Sequence, residues 1–168
     1  AYGKGRERKT EIRVFDDVDA KKVVIRNTKL YVNREEGFVG TSLRRDEYVT
    51  DCADIDDIIV FTDDGKMTVT KVEAKTFIRK NIIHVAVFKK KDDRTIYNMI
   101  YRDGRGGTTY MKRFPVTSVT RDKEYDLTNG NAQSKVFYFS ANLNGEAEII
   151  TVLLRQSKGI KKLKWDVD

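Results

Sequence analysis

The chain has 168 residues, 39% hydrophobic and 35% charged, which is enough to bury the core of one ordinary domain or of a few small repeats. Its formal net charge of +7 favours an anionic partner. The single cysteine, Cys52, excludes an internal disulfide and favours a reducing compartment. No apolar run approaches membrane-spanning length, so we expect no membrane partner.

The N-terminal part of the chain divides into a polar segment and the first predicted strands. Residues 1–20 mix glycine with dense charge of both signs, which predicts a linker ahead of a folded part at 21–168. Residues 23–25 and 30–32 predict two strands with a turn between them, and 38–43 predict a third strand.

An acidic run follows, with six acids and no base between residues 46 and 57. Acids at this density could bind a divalent metal, but the run lacks the glycine of a calcium-binding loop. We therefore favour a solvated acidic loop over a metal site.

The clearest element is a predicted hairpin at residues 58–72. Its first arm, Ile-Ile-Val-Phe-Thr, is a continuous β-branched and aromatic run, typical of a strand buried on both faces. Asp63-Asp64-Gly65 predicts a tight turn, and the second arm alternates in polarity. His84 lies in the next predicted strand without a second histidine or a cysteine in that strand, so we expect it to pack rather than to bind metal or catalyse.

The C-terminal half continues the pattern of short strands. Residues 95–101 and 108–114 predict strands around a glycine-rich loop, and 135–140 with 147–154 predict a hairpin turning at 142–145. Elements recur, since the hairpin at 58–72 resembles 136–154 and the strand at 37–41 resembles 107–113. The sequence therefore predicts an all-β sandwich, barrel or propeller-like array with almost no helix. Trp165 among lysines predicts either packing or a stacking platform.

The basic residues are the candidates for binding, because Lys and Arg neutralise phosphates without reading sequence. The richest segment is 102–123, with six bases against two acids and glycines that let backbone N–H groups approach a phosphate. Arg44-Arg45, Arg79-Lys80, Lys66 and the run 89–91 are secondary candidates. The alternative for every charged run is a solvated surface.

Three motifs together resemble a known family. The strand Tyr110-Met111-Lys112-Arg113, the hairpin segment at 58–66 and the segment Tyr2-Gly3 with 8–12 resemble the C-terminal domain of the A subunit of bacterial type IIA DNA topoisomerases, namely DNA gyrase and topoisomerase IV. The resemblance implies a β-pinwheel, a propeller-like array of strand-swapped antiparallel blades, here a partial disc of about three blades. It makes residues 1–20 a linker from the end of the breakage–reunion domain.

The chain departs from the family pattern at two places. Gly40-Thr41 stands where the first blade of the family has Lys-Arg, and a gyrase-specific basic glycine box is not intact, so the resemblance is to the topoisomerase IV type. The catalytic tyrosine of the family belongs to the breakage–reunion domain, and none of the eight tyrosines here is assigned that role.

The resemblance implies an accessory domain that wraps and bends double-stranded DNA without sequence specificity. It implies no catalytic residue, metal or cofactor in this chain. The implied partners are DNA, the remainder of the A subunit, and the ATPase subunit of the same enzyme, in the cytoplasm with the nucleoid. The alternative is a protein-interaction module of β-propeller type, and a self-contained enzyme has little support. The predicted DNA-contacting residues are Lys112, Arg113, Arg105, Arg102, Arg121, Arg79, Lys80, Arg44, Arg45 and Lys66.

Overall fold

The computed structural model describes residues 27–157 and 159–167. Within these ranges every regular element is a β-strand, which confirms the predicted all-β class. No helix in this part of the chain is long and apolar enough to cross a membrane. The predicted linker at 1–20 and the predicted strand at 23–25 lie outside the described residues, as does the side chain of Trp165.

The strands are short and follow one another closely along the chain. They are β1 (Thr28–Asn33), β2 (Phe38–Gly40), β3 (Glu47–Cys52), β4 (Asp57–Thr62), β5 (Lys66–Lys71), β6 (Thr76–Phe77), β7 (Ile82–Phe88), β8 (Thr95–Arg102), β9 (Thr109–Pro115), β10 (Glu124–Asp126), β11 (Lys135–Leu143), β12 (Ile150–Leu153) and β13 (Lys164–Val167).

These strands form four antiparallel sheets. Sheet one has the order β3-β1-β2-β6 and sheet two the order β10-β5-β4-β7. Sheet three has the order β11-β8-β9, and sheet four is the pair β12-β13. The first three sheets are each built on a hairpin of consecutive strands, namely β1-β2, β4-β5 and β8-β9.

Neighbouring sheets exchange strands in a regular way. The connection after hairpin β4-β5 gives β6 to sheet one, where it pairs with β2. The connection after hairpin β8-β9 likewise gives β10 to sheet two, where it pairs with β5. Each exchanged strand thus occupies the same position beside the second strand of the preceding hairpin. This arrangement is consistent with the predicted strand-swapped, pinwheel-like array, and the described strands form no closed barrel.

Sheet two lies between two hydrophobic cores, because successive side chains of a strand point to opposite faces. Ile58 and Val60 pack with Leu30, Val32 and other residues of sheet one. Ile59 and Phe61 join a second core with Tyr97 of sheet three. The prediction that the strand at 58–62 is buried on both faces is confirmed.

The acidic run is the predicted loop in part, at residues 53–56 between β3 and β4. Residues Glu47–Cys52 form β3, which pairs with β1. Its last residue, Cys52, is fully buried, whereas Glu47 is exposed and pairs with Arg34 at 2.7 Å. The exposed acids of β3, Glu47 and Asp51, made this strand resemble a loop in the sequence. No group of three potential metal ligands occurs in the residues that the structure describes.

The predicted hairpin at 135–154 is also wrong. Strand β11 pairs with β8 from Lys135 opposite Arg102 to Leu143 opposite Thr95, except at Phe137. A turn does follow at 143–146, but β12 pairs with β13 instead of β11. The predicted strand at 38–43 ends at Gly40, and no pattern in the sequence indicated the exchanged strands β6 and β10.

Candidate nucleic-acid interface

The three hairpin turns lie together at one end of the sheets, which we call the turn end. Backbone hydrogen bonds connect the first two turns to the starts of neighbouring strands: the amide of Ile82 in β7 donates to the Arg34 carbonyl at 2.9 Å, that of Asp63 to the Asn81 carbonyl at 3.0 Å, and that of Val136 in β11 to the Asp63 carbonyl at 2.6 Å. The third turn follows β8, whose last residue, Arg102, pairs with Lys135 at the start of β11. The opposite end, where β7 ends and β8 begins, is called the open end.

Five basic residues gather at the open end, and we call them the open-end cluster: Lys89, Lys90, Lys91, Arg94 and Arg113. All five are exposed. Arg94 Nε donates to the side-chain oxygen of Asn144 at 2.7 Å, and Arg113 Nη2 donates to the carbonyl of Gly145 at 2.6 Å. Both acceptors are neutral, so these contacts place the guanidinium groups without cancelling their charge.

Two acids lie in this turn, of which Asp93 is exposed and Asp92 is engaged by local donors. The Asp92 carboxylate accepts hydrogen bonds from the Thr95 hydroxyl at 2.8 Å and from the backbone amide of Arg94 at 3.0 Å. The Thr95 hydroxyl, followed by the amide, lowers the pKa of Asp92 below its usual value. The carboxylate therefore stays ionised and anchors the turn that carries the lysines.

A cleft of about 550 Å³ opens beside the cluster. Lys89 and Lys90 line it, together with Phe88, Asp57 and Arg121 among others. Arg121 lies 2.9 Å from the Asp57 carboxylate, so one of the cleft's cations already has an anionic partner. Asp56 lines the cleft as well, so three cations stand against two carboxylates and the cleft has a net excess of one positive charge.

The turn end of sheet three carries the glycine-rich loop at 102–107. Arg102 Nε donates to the Gly104 carbonyl at 3.1 Å, and Arg105 is exposed. Asp103 is only 8% exposed and accepts from Asn131 Nδ2 at 2.5 Å and from the Ser134 hydroxyl at 3.1 Å. Burial raises the pKa of Asp103, but these hydrogen bonds outweigh burial and lower it overall. The loop's acid is thus satisfied internally.

Two predicted contact residues are held by carboxylates near the exchanged strand β10. Lys66 Nζ lies 2.6 Å from Asp126. Arg79 lies 2.7 Å from both Asp64 and Glu124. These ion pairs fasten β10 to the turn of hairpin β4-β5, and they reduce the charge that Lys66 and Arg79 can offer to a phosphate.

Lys112 also has an internal partner. Its ammonium group donates to the carbonyl of Leu127 and lies 5.5 Å from the centre of the Tyr101 ring. It is half-buried, whereas Arg113 beside it is exposed. Lys112 therefore connects β9 to the segment that follows β10.

The remaining predicted residues, Arg44, Arg45, Lys80 and Arg105, are exposed and make no ion pair with another described residue. The structure does not bring all ten predicted residues to one surface, and their contact with DNA stays a prediction. Sequence reasoning ranked the run 89–91 as secondary and missed Arg94. The run was ranked second because charged runs are usually solvated surface. The structure adds that Asp92 beside it accepts from the Arg94 amide and the Thr95 hydroxyl.

Sequence similarity connects the chain to the topoisomerases. Residues 29–168 match the family described as Topoisomerase C-terminal domain, Bacteroidota. The chain is 31% identical over 131 residues to the A subunit of DNA topoisomerase 4 from Borreliella burgdorferi, a match that covers 77% of this chain and 21% of that protein. It therefore spans about a fifth of the length of this relative. No solved structure matches. The chain belongs to the topoisomerase C-terminal domain family, which confirms the resemblance to the C-terminal domain of the A subunit.

Proposed function

We propose that this chain is a DNA-binding accessory domain from the A subunit of a type IIA topoisomerase, which bends duplex DNA without reading its sequence and carries no catalytic residue. The observation that carries the proposal is the open-end cluster. Its five cations are exposed, and the polar contacts of its two arginines are made to neutral oxygens. Such a group can neutralise phosphates and release their counterions, which supplies most of the affinity in non-specific DNA binding.

The distance between the two ends of sheet three gives the length of duplex that could contact both. Strand β8 runs from Thr95 at the open end to Arg102 at the turn end. A strand rises about 3.3 Å per residue, so the two ends are roughly 23 Å apart. Along a duplex this distance corresponds to about seven base pairs. A duplex that contacts both the open-end cluster and the loop of Arg105 would follow the flank of the sheet.

The wider setting follows from family membership and is part of the proposal. The domain acts together with the remainder of the A subunit, as well as with the ATPase subunit of the enzyme, in the cytoplasm where the chromosome lies. Duplex DNA is the partner that the exposed lysine and arginine side chains fit. The alternative is a domain that binds only protein, and an absence of DNA binding would favour it.

The experiment is a salt titration of binding to labelled duplexes of unrelated sequence. The logarithm of affinity should fall linearly with the logarithm of salt, by about 0.9 per phosphate contact, and equally for each sequence. The triple variant Lys89→Ala/Lys90→Ala/Lys91→Ala should reduce this slope by about 0.9 for each phosphate that it no longer neutralises.

The matched control is Lys161→Ala/Lys162→Ala/Lys164→Ala, which removes the same charge from an exposed segment elsewhere. Its slope should stay closer to that of the parent. An equal loss in both variants would mean that net charge, and not the open-end cluster, determines binding. Binding that is absent at low salt, or independent of salt, would overturn the proposed function in favour of a protein partner.

A further inference from the structure

An irregularity in β11 places one aromatic side chain in solvent at the turn end. Val136 pairs with Tyr101 and Tyr138 pairs with Ile100, so Phe137 between them has no partner on β8. Two residues opposite one is a β-bulge, a feature that re-aims a side chain and is frequent at functional sites. Phe137 is the extra residue of this bulge.

The bulge exposes Phe137 while its neighbours pack. Val136 is buried, and Phe139 packs in the aromatic core with its ring centre 4.6 Å from that of Phe61. Phe137 is 55% exposed, and its one described ring interaction is with the Arg102 guanidinium, 5.5 Å from the ring centre. The core therefore gives no reason for an aromatic residue at this position.

The cation described against this ring is the Arg102 guanidinium, and two further cations belong to the neighbouring strand and loop. Lys135 is exposed and pairs in register with Arg102, whose Nε donates to Gly104 in the glycine-rich loop. Arg105 lies exposed in the same loop, whereas the loop's acid, Asp103, is buried among its hydrogen-bond donors. An exposed aromatic ring among cations fits a nucleic acid, because phosphates bind the cations while a base stacks on the ring.

We propose that Phe137 inserts against a base step of bound duplex DNA and stabilises a kink there, with Arg102, Arg105 and Lys135 on the flanking phosphates. This inference rests on the proposed function and deepens it by naming the contact that makes bending favourable. Apolar wedges that unstack a step and kink the duplex act through the same physics, since they replace lost base stacking by contact with the side chain.

The experiment compares an intact duplex with the same duplex carrying one unpaired nucleotide, next to a 2-aminopurine that brightens when it unstacks. The parent should bind the interrupted duplex about tenfold more tightly than the intact one. The unpaired nucleotide already interrupts base stacking, so binding avoids this cost and gains stacking of a base on Phe137. The parent should also raise the 2-aminopurine fluorescence. Phe137→Ala should abolish both effects while the salt slope stays unchanged, because no charge is removed. Phe137→Tyr should retain both.

The matched control is Phe77→Ala, because Phe77 is 56% exposed but lies on sheet one with its ring against Phe38. This variant should behave as the parent does, and thermal melting should show that both alanine variants are folded. Salt-dependent binding with no preference for the interrupted duplex, or a preference that Phe137→Ala retains, would overturn the inference alone. Absence of salt-dependent binding would overturn the proposed function and the inference together.

Discussion

Neighbouring carboxylates determine which basic side chains can neutralise a phosphate. Lys66 is 2.6 Å from Asp126, whereas Lys90 is exposed without an ion pair to another described residue. We predict that Lys90→Ala lowers the salt slope of DNA binding by about one and that Lys66→Ala leaves it nearly unchanged. Lys66→Ala should cost less than about 1 kcal/mol of stability, as is usual for solvent-accessible ion pairs. Salt titrations and urea unfolding of both variants measure this, and equal slopes for them would contradict it.

The half-buried His84 gives the domain a predictable response to acid. His84 contacts Phe61, Tyr97 and Phe139, and burial, with a smaller effect of Arg34, lowers its pKa from 6.5 to about 4. The folded state therefore prefers neutral His84. Its stabilising effect is complete above pH 6.5 and is lost as the pH falls from 6.5 towards 4, by up to about 3 kcal/mol.

Urea unfolding at neutral pH and near pH 4.5 measures this loss. Because several carboxylates also titrate in acid, the matched variant is His84→Phe, which keeps an aromatic ring and removes the titrating group. The stability of the variant should fall less between the two pH values than that of the parent. The same acid loss in both proteins would show that His84 does not contribute to it.

At the residue scale, the sequence showed where basic residues occur but not which of them carboxylates engage. Basic runs such as 89–91 were visible in the sequence, but the carboxylates that pair with other basic residues were not. Arg79 bonds with Glu124, 45 residues away, and Arg121 with Asp57, 64 residues away. Only the folded chain shows which charges face each other, because these pairs depend on strands that cross between sheets.

The exchange of strands depends on a close backbone approach at Gly40 of β2. A Cβ at this position would lie 2.3 Å from the Ala74 carbonyl oxygen and 2.8 Å from the Cα of Lys75, in the connection that leads to β6. The amides of Thr41 and Ser42 donate to the carbonyls of Glu73 and Ala74 of this connection, at 3.0 and 2.9 Å. The glycine that departs from the family's basic pattern thus has a structural reason.

We predict that Gly40→Val opens this contact, with a loss of about 1–3 kcal/mol as for other overpacked sites. The amides of Thr41 and Ser42 should exchange with deuterium faster, which NMR can follow residue by residue. Gly130→Ala is the control, because open space surrounds Gly130 and only its φ of +89° opposes a side chain. It should leave these amides protected. Unchanged protection in Gly40→Val would show that the connection does not need the glycine.

At the element scale, the local hairpins were predictable and the exchanged strands were not. The hairpin β4-β5 was evident from its Asp-Asp-Gly turn and alternating arm. Strands β6 and β10 have two and three residues, too few to show a period, and their partners lie in another sheet. The wrong hairpin at 135–154 has a similar origin, because a sequence pattern favours pairing of a strand with the next one along the chain. In the fold, the segment after the turn is held by side chains, since Glu148 accepts hydrogen bonds from Asn98 and Ser140.

At the scale of the whole molecule, sheets one and three are joined through sheet two, which shares one core with sheet one and another with sheet three. Exchanged strands add to this coupling, since β6 and β10 each belong to one sheet and are connected through the next. Loss of either sheet would expose large apolar side chains of sheet two. We therefore predict that sheets one and two unfold in a single cooperative transition.

Two native probes in different sheets test this cooperativity. The Cys52 thiol, fully buried in sheet one, should become reactive to a thiol reagent over the same range of urea in which the NMR signal of His84 leaves its native position in β7. Gly40→Val should move both midpoints to lower urea together, because a defect at the exchange of β6 weakens the coupled unit. If the thiol became reactive well before the His84 signal changed, sheet one would be an independent unit and strand exchange would not couple the sheets.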